Sequence, residues 1–134
     1  MADRRWMSRG SIVDGRRAVA HRPLRRRRKV LRAKLYLLQR GRCFYCGVAM
    51  LASPSARDHD RACTLDEVKP RGLGGWVAPN NCVAACRGCN GRKGRRTSLA
   101  FVASWPAERR DARHGAMLAL RALIIRRAAA GCLQ

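Results

Sequence analysis

Apolar positions recur along the chain with two different periods. From Pro23 to about Arg40, Leu31, Leu35 and Leu38 fall three and four apart, the spacing that stacks side chains on one face of an α-helix, and Gly41 follows as a stop. Residues 107–130 repeat the helical pattern with Met117, Leu118, Leu120, Leu123, Ile124 and Ile125, beginning after Pro106 and ending near Gly131. Between these two helices the segments are short. "CTLDEVKP" has strand character up to Pro70, the glycine-rich "RGLGGWVAPN" reads as a flexible connection, and a second strand is expected around residues 82–84. "CRGCNGRKGRR" then turns into a short helix. Residues 42–50 form a tight cysteine turn, and "LASPSARDHD" is a loop. Residues 1–22 mix Arg with Gly, Ser and Asp without a steady period and read as a flexible basic arm, with Trp6 its one large apolar residue. The expected organisation is that arm followed by a single domain over residues 23–134, with its core in residues 40–97.

Charge changes the picture from a small helical protein to one with a polyanionic partner. The chain has 134 residues and a formal net charge of +22. So small a body has little surplus core, which favours an added staple such as a metal, and so much self-repulsion favours binding to nucleic acid. A GC-rich coding bias would explain why 26 of the 30 basic residues are Arg, but not why only eight acids balance them. No run approaches the length of a membrane span, and the basic start lacks a signal peptide's apolar segment, so a cytoplasmic protein, nucleoid- or phage-associated, is expected.

In that compartment seven cysteines read as metal ligands or buried thiols, and an odd number cannot all pair within one chain. Cys43-x2-Cys46 and Cys86-x2-Cys89 are two knuckles separated by 39 residues. Two intervening residues let both sulfurs of a knuckle reach one tetrahedral ion. Four sulfurs imply zinc, with no ligand position left open for chemistry. Cys82 is expected to be a small core residue, while Cys63 and Cys132 show no partner.

The order "CFYC…TLDEVKPRGLGG…NNCVAACRGCNGRKG" resembles the HNH endonuclease family over residues 40–97. The resemblance implies an α+β fold with a ββα-metal, treble-clef-like core tied by a zinc clasp and flanked here by N- and C-terminal helices. It also implies divalent-metal-dependent hydrolysis of DNA phosphodiesters. By position, Asp66 corresponds to the carboxylate ligand of a catalytic magnesium or manganese ion and Asn90 to its last protein ligand. Asn81, or Asn80 if the register slips by one, corresponds to the middle letter, which holds the hairpin loop. The first letter departs from the pattern, because Glu67 stands where the family has the His that activates water.

Three readings of Glu67 stay open. It is the base, although a reference pKa of roughly 4.3 suits the task less well than roughly 6.5 for His; or it is an auxiliary metal ligand; or the chain has kept the scaffold and lost the chemistry. His59, between Asp58 and Asp60, is the nearest substitute base, against the plainer reading of a mixed-charge surface loop. Arg71, Arg87, Arg92, Lys93, Arg95 and Arg96 are expected to fringe the site as a phosphate-binding track, and the scarcity of interleaved aromatics favours double-stranded DNA over single strands. The expected function is a DNA-cleaving nuclease. The alternatives are an inactive zinc-stabilised nucleic-acid-binding module and an accessory protein docked on a larger DNA-processing partner.

Overall fold

The computed structural model describes residues 15–52 and 56–134, so Trp6 and the arm's residues 1–14 lie outside the described residues. Helix α1 spans Gly15–Leu38, helix α2 Arg87–Lys93, helix α3 Ser98–Ala103 and helix α4 Ala107–Ala129. Strands β1, Cys63–Glu67, and β2, Cys82–Cys86, form one antiparallel hairpin with Cys63 opposite Cys86 and Glu67 opposite Cys82. The chain is thus a small α+β fold.

Helix α1 starts earlier than expected, so residues 15–22 of the predicted arm are helical and Pro23 lies inside the helix. Proline there removes one backbone donor and crowds the preceding turn, but flanking Ala and Arg residues are good helix formers, and the helix runs on to its buried half. That half carries Leu31 and Leu35, both buried, with Leu38 packed at the margin. Helix α3 has no counterpart among the expected elements. It is one and a half turns long, too short to display a period, and is started by Thr97, whose hydroxyl accepts from the Ala100 N–H.

The core is an aromatic cluster beside the hairpin. Tyr45 sits edge-on to Phe44, Phe101 and Trp105, with ring centroids 5.1, 5.2 and 6.5 Å away. Helix α4 adds Met117 and Ile124 but leaves Leu118 and Ile125 largely exposed. Its Arg113 Nε donates to the Tyr45 carbonyl at 2.8 Å, tying the helix to the cysteine turn. The outer edge of β2 is closed by a side chain: Gln39 donates to the Ala84 carbonyl and accepts from the Ala84 N–H, both at 2.8 Å. A buried carboxamide here stands in for a third strand, leaving no open edge at that position.

Candidate functional site

The two knuckles meet. The Sγ atoms of Cys43, Cys46, Cys86 and Cys89 all lie within 4.8 Å of one another. An ion bound at a Zn–S distance of about 2.3 Å separates tetrahedral sulfurs by about 3.8 Å, and Cys46 Sγ lies 3.8 Å from Cys86 Sγ. The cluster could hold a metal ion such as zinc. Local structure aims the sulfurs. Gly47, at φ 75°, turns the first knuckle so that its N–H reaches the Cys43 carbonyl at 3.0 Å. Cys86 caps α2, its sulfur accepting from the Cys89 N–H at 3.4 Å, and Cys43 Sγ accepts from the Cys86 N–H at 3.3 Å. Four crowded thiols cannot all ionise without a counter-charge. Cys46 is held low by hydrogen bonds with Cys43, Cys86 and Cys89, while Cys43 is pushed up, first by its bond to Cys46. A divalent cation would remove that conflict. Of the remaining cysteines, Cys82 is fully buried in β2 and Cys63 is buried in β1, whereas Cys132 is exposed.

From the cluster, β1 and α2 run side by side and form two polar rungs. Thr64 and Asp66 share one face of the strand, and Asn90 and Lys93 share one face of the helix. Asn90 Nδ2 donates to Thr64 Oγ1 at 2.9 Å, and Lys93 Nζ donates to Asp66 Oδ1 at 2.9 Å and to the Glu67 carbonyl at 2.9 Å. The other Asp66 oxygen accepts from the Tyr45 hydroxyl, which also bonds Ser98 Oγ at 2.6 Å. Asp66 and Lys93 are 5% and 1% exposed, so the pair is desolvated as a unit. Burial raises the Asp66 pKa against the lowering pull of Tyr45 and Lys93; burial, and then the Asp66 charge, raises that of Tyr45.

This corrects the reading of Lys93 as part of a surface phosphate track. One helical turn beyond Asn90 faces the strand, and the only stable way to bury an ammonium there is against a carboxylate. It also bears on the expected catalytic ion. Asp66 and Asn90 offer the hard oxygen donors that magnesium or manganese prefers. As folded, however, both Asp66 oxygens are engaged, one by a cation, and the set does not fit a divalent ion while Lys93 stays in place.

Successive strand residues face opposite ways, so Glu67 leaves this polar face and meets Arg28 of α1 at 3.3 Å and Arg71 at 3.4 Å. Its side chain is 12% exposed, at the end of β1. Asn81 fastens the following loop. Its Oδ1 accepts from the Lys69 N–H at 3.0 Å, and its Nδ2 donates to the Lys69 carbonyl at 2.9 Å and the Trp76 carbonyl at 2.8 Å. Asn80, the alternative, is exposed, and its backbone carbonyl accepts from Arg121. His59 is exposed in a 3-10 turn, Ala56–Arg61.

The remaining cations divide. Arg92 donates to Cys89 Sγ at 3.4 Å, and Arg96 packs over the Phe101 ring while bonding the Arg92 and Lys93 carbonyls. Arg87 and Arg95 are exposed. Tyr45, Ser98 and Thr64 belong to the site without having been picked out from the sequence. Lys93 could have been placed by its three-residue offset from Asn90; a tyrosine between two ligands was a weaker sign, and Ser98 gave none. No helix among the described residues is long and apolar enough to cross a membrane. No family model matches the chain, and no curated protein matches it in sequence.

Proposed function

We propose that this protein is a nuclease of the HNH kind, hydrolysing DNA phosphodiester bonds on a zinc-clasped, treble-clef-like ββα core. The observation that carries this reading is that Asp66 on β1 and Asn90 on α2 line one polar face of a hairpin and helix tied to the four-cysteine cluster, with Glu67 next in the strand on the opposite face, in a chain of net charge +22. Glu67 is the proton acceptor. Water attacks phosphorus, its proton passes to the Glu67 carboxylate, the bond to the leaving oxygen breaks, and that oxygen is protonated from solvent. Arg28 and Arg71 orient Glu67 and bring guanidinium groups to where the phosphate must lie. Asn81 holds the loop that follows Glu67, and exposed Arg87 and Arg95 extend the contact along the backbone. Magnesium or manganese would neutralise charge on the scissile phosphate. Its proposed ligands are Asp66 and Asn90, and seating it requires the Lys93 ammonium to leave Asp66.

One observation favours a second reading. A carboxylate satisfied by Tyr45 and Lys93, next to another held by two arginines, also describes a structural network in a zinc-stabilised nucleic-acid-binding or accessory module.

A plasmid-nicking assay with magnesium, manganese or chelator separates the two. Glu67→Gln should lower nicking about 100-fold or more while leaving duplex binding and metal content intact, and Glu67→His should retain or raise it near neutral pH. Lys93→Met, assayed under conditions where its unfolding transition shows it folded, should lower the metal concentration needed if the ammonium limits use of the ion. If wild type and Glu67→His are both inert with either ion while Asp66→Ala binds duplex normally, the binding-module reading replaces the nuclease. Co-elution with a larger DNA-processing protein would then identify the accessory role.

A further inference from the structure

We propose that the loop between β1 and β2 is a base-contacting element in which the Trp76 indole stacks on a nucleobase of the bound nucleic acid. This rests on the nucleic-acid part of the proposed function but not on catalysis. Trp76 is 69% exposed and Leu73, on the same loop, is 52% exposed, whereas Trp105 is buried in the core. Keeping an indole in water forgoes a large apolar burial.

The loop is also not loose. Leu73 and Gly75 N–H groups both reach the Pro70 carbonyl, at 2.9 and 3.0 Å, and Gly74 turns at φ 87°. A Cβ on Gly75 would lie 1.7 Å from the Lys69 carbonyl oxygen, so only glycine permits this closure. Asn81 then bonds the Trp76 carbonyl and the Lys69 backbone together. An exposed aromatic side chain is therefore carried on a pinned backbone, two residues in sequence beyond Glu67 at the nearer anchor.

Chemistry around the indole selects the occupant. Lys69, Gly74, Gly75, Trp76, Asn80 and Asn81 line a shallow hollow of about 270 Å³, below the usual range for drug-sized ligands but adequate for one planar ring. Lys69 is an exposed cation lining the hollow, Arg71 lies beside it on the same loop, exposed but with its guanidinium paired with Glu67, and Asn80 brings an exposed carboxamide to the rim. Phosphate-seeking charge, a π-face and an amide edge together match a nucleotide better than they match an apolar protein surface.

The test uses the full chain and a duplex ending in a short single-stranded overhang that carries 2-aminopurine, so that a base face is free, titrated over a salt series with wild type, Trp76→Ala and Trp76→Phe. Wild type should change the 2-aminopurine emission on binding. Trp76→Ala should bind about 5- to 150-fold more weakly with an unchanged salt slope and metal content, and Trp76→Phe should recover most of the loss. Equal affinity of wild type and Trp76→Ala, or emission that never responds, overturns the inference while leaving nucleic-acid binding standing. A wild type that binds no nucleic acid removes both readings together. Concentration-dependent self-association in sedimentation that Trp76→Ala abolishes, with duplex affinity unchanged, would reassign the surface to a second copy of the chain.

Discussion

Lys93 and Arg95 are two residues apart in one basic run, yet the fold treats them oppositely. Arg95 stays in solvent, while Lys93 is enclosed with Asp66 and gives its ammonium to that carboxylate and to the Glu67 carbonyl. Pairs of this kind offset their own desolvation only while both partners are present. Lys93→Met should therefore destabilise the protein by about 3–5 kcal/mol, and Asp66→Asn combined with Lys93→Met should cost less than Lys93→Met alone. Denaturant unfolding of the two single variants and the double variant measures this, and strictly additive losses would show that the pair is not coupled. The acids at 66 and 67 stood out in the sequence because so few acids surround them, but their division of labour did not. Adjacent strand positions point to opposite faces, and which face meets α2 and which meets α1 depends on how the hairpin docks.

At the scale of elements, α2 is the dependent piece. A helix running only from Arg87 to Lys93 is too short to persist alone, and it is held by Cys86 and Cys89 at its start and by the Asn90 and Lys93 rungs along its side. Purified protein is expected to contain one zinc, and Cys86→Ser should lose both the metal and the cooperative unfolding transition, because it removes one of the four ligands while a serine at that position can still cap α2, so the loss reports the metal. Metal analysis combined with circular dichroism reads both. Folded wild type without metal would overturn the clasp. The knuckles, the hairpin and α4 were legible because each is announced by nearby residues: paired cysteines, a short apolar run between glycine and proline, a long stripe at helical spacing. The start of α1 was not, because Pro23 is also a common helix-opening residue, and α3 was not, because six residues carry no period.

For the whole molecule, 30 cations and 8 acids leave most of the positive charge without an internal partner. Duplex affinity should accordingly fall steeply with salt, about a thousandfold between roughly 50 and 200 mM if six phosphates are contacted. Removing residues 2–14, which include Arg4, Arg5 and Arg9, should flatten that slope without changing metal content. A salt-insensitive affinity would argue instead for recognition through base edges or protein contacts. Charge balance, cysteine spacing and apolar period are properties of the chain's order alone, so the sequence by itself determined the basic surface, the fourfold sulfur cluster, the two-strand unit and the long flanking helices. Only the tertiary structure decided which groups are withdrawn from water. Tyr45 and Ser98 are 53 positions apart and share a hydrogen bond through the same hydroxyl that Tyr45 gives to Asp66, Gln39 closes a strand edge 45 positions away, and Trp76 is left outside where Trp105 is taken in. The cost of burying a polar group or the gain from burying an indole exists only once distant segments enclose it, and that enclosure is not a local property of any stretch of residues.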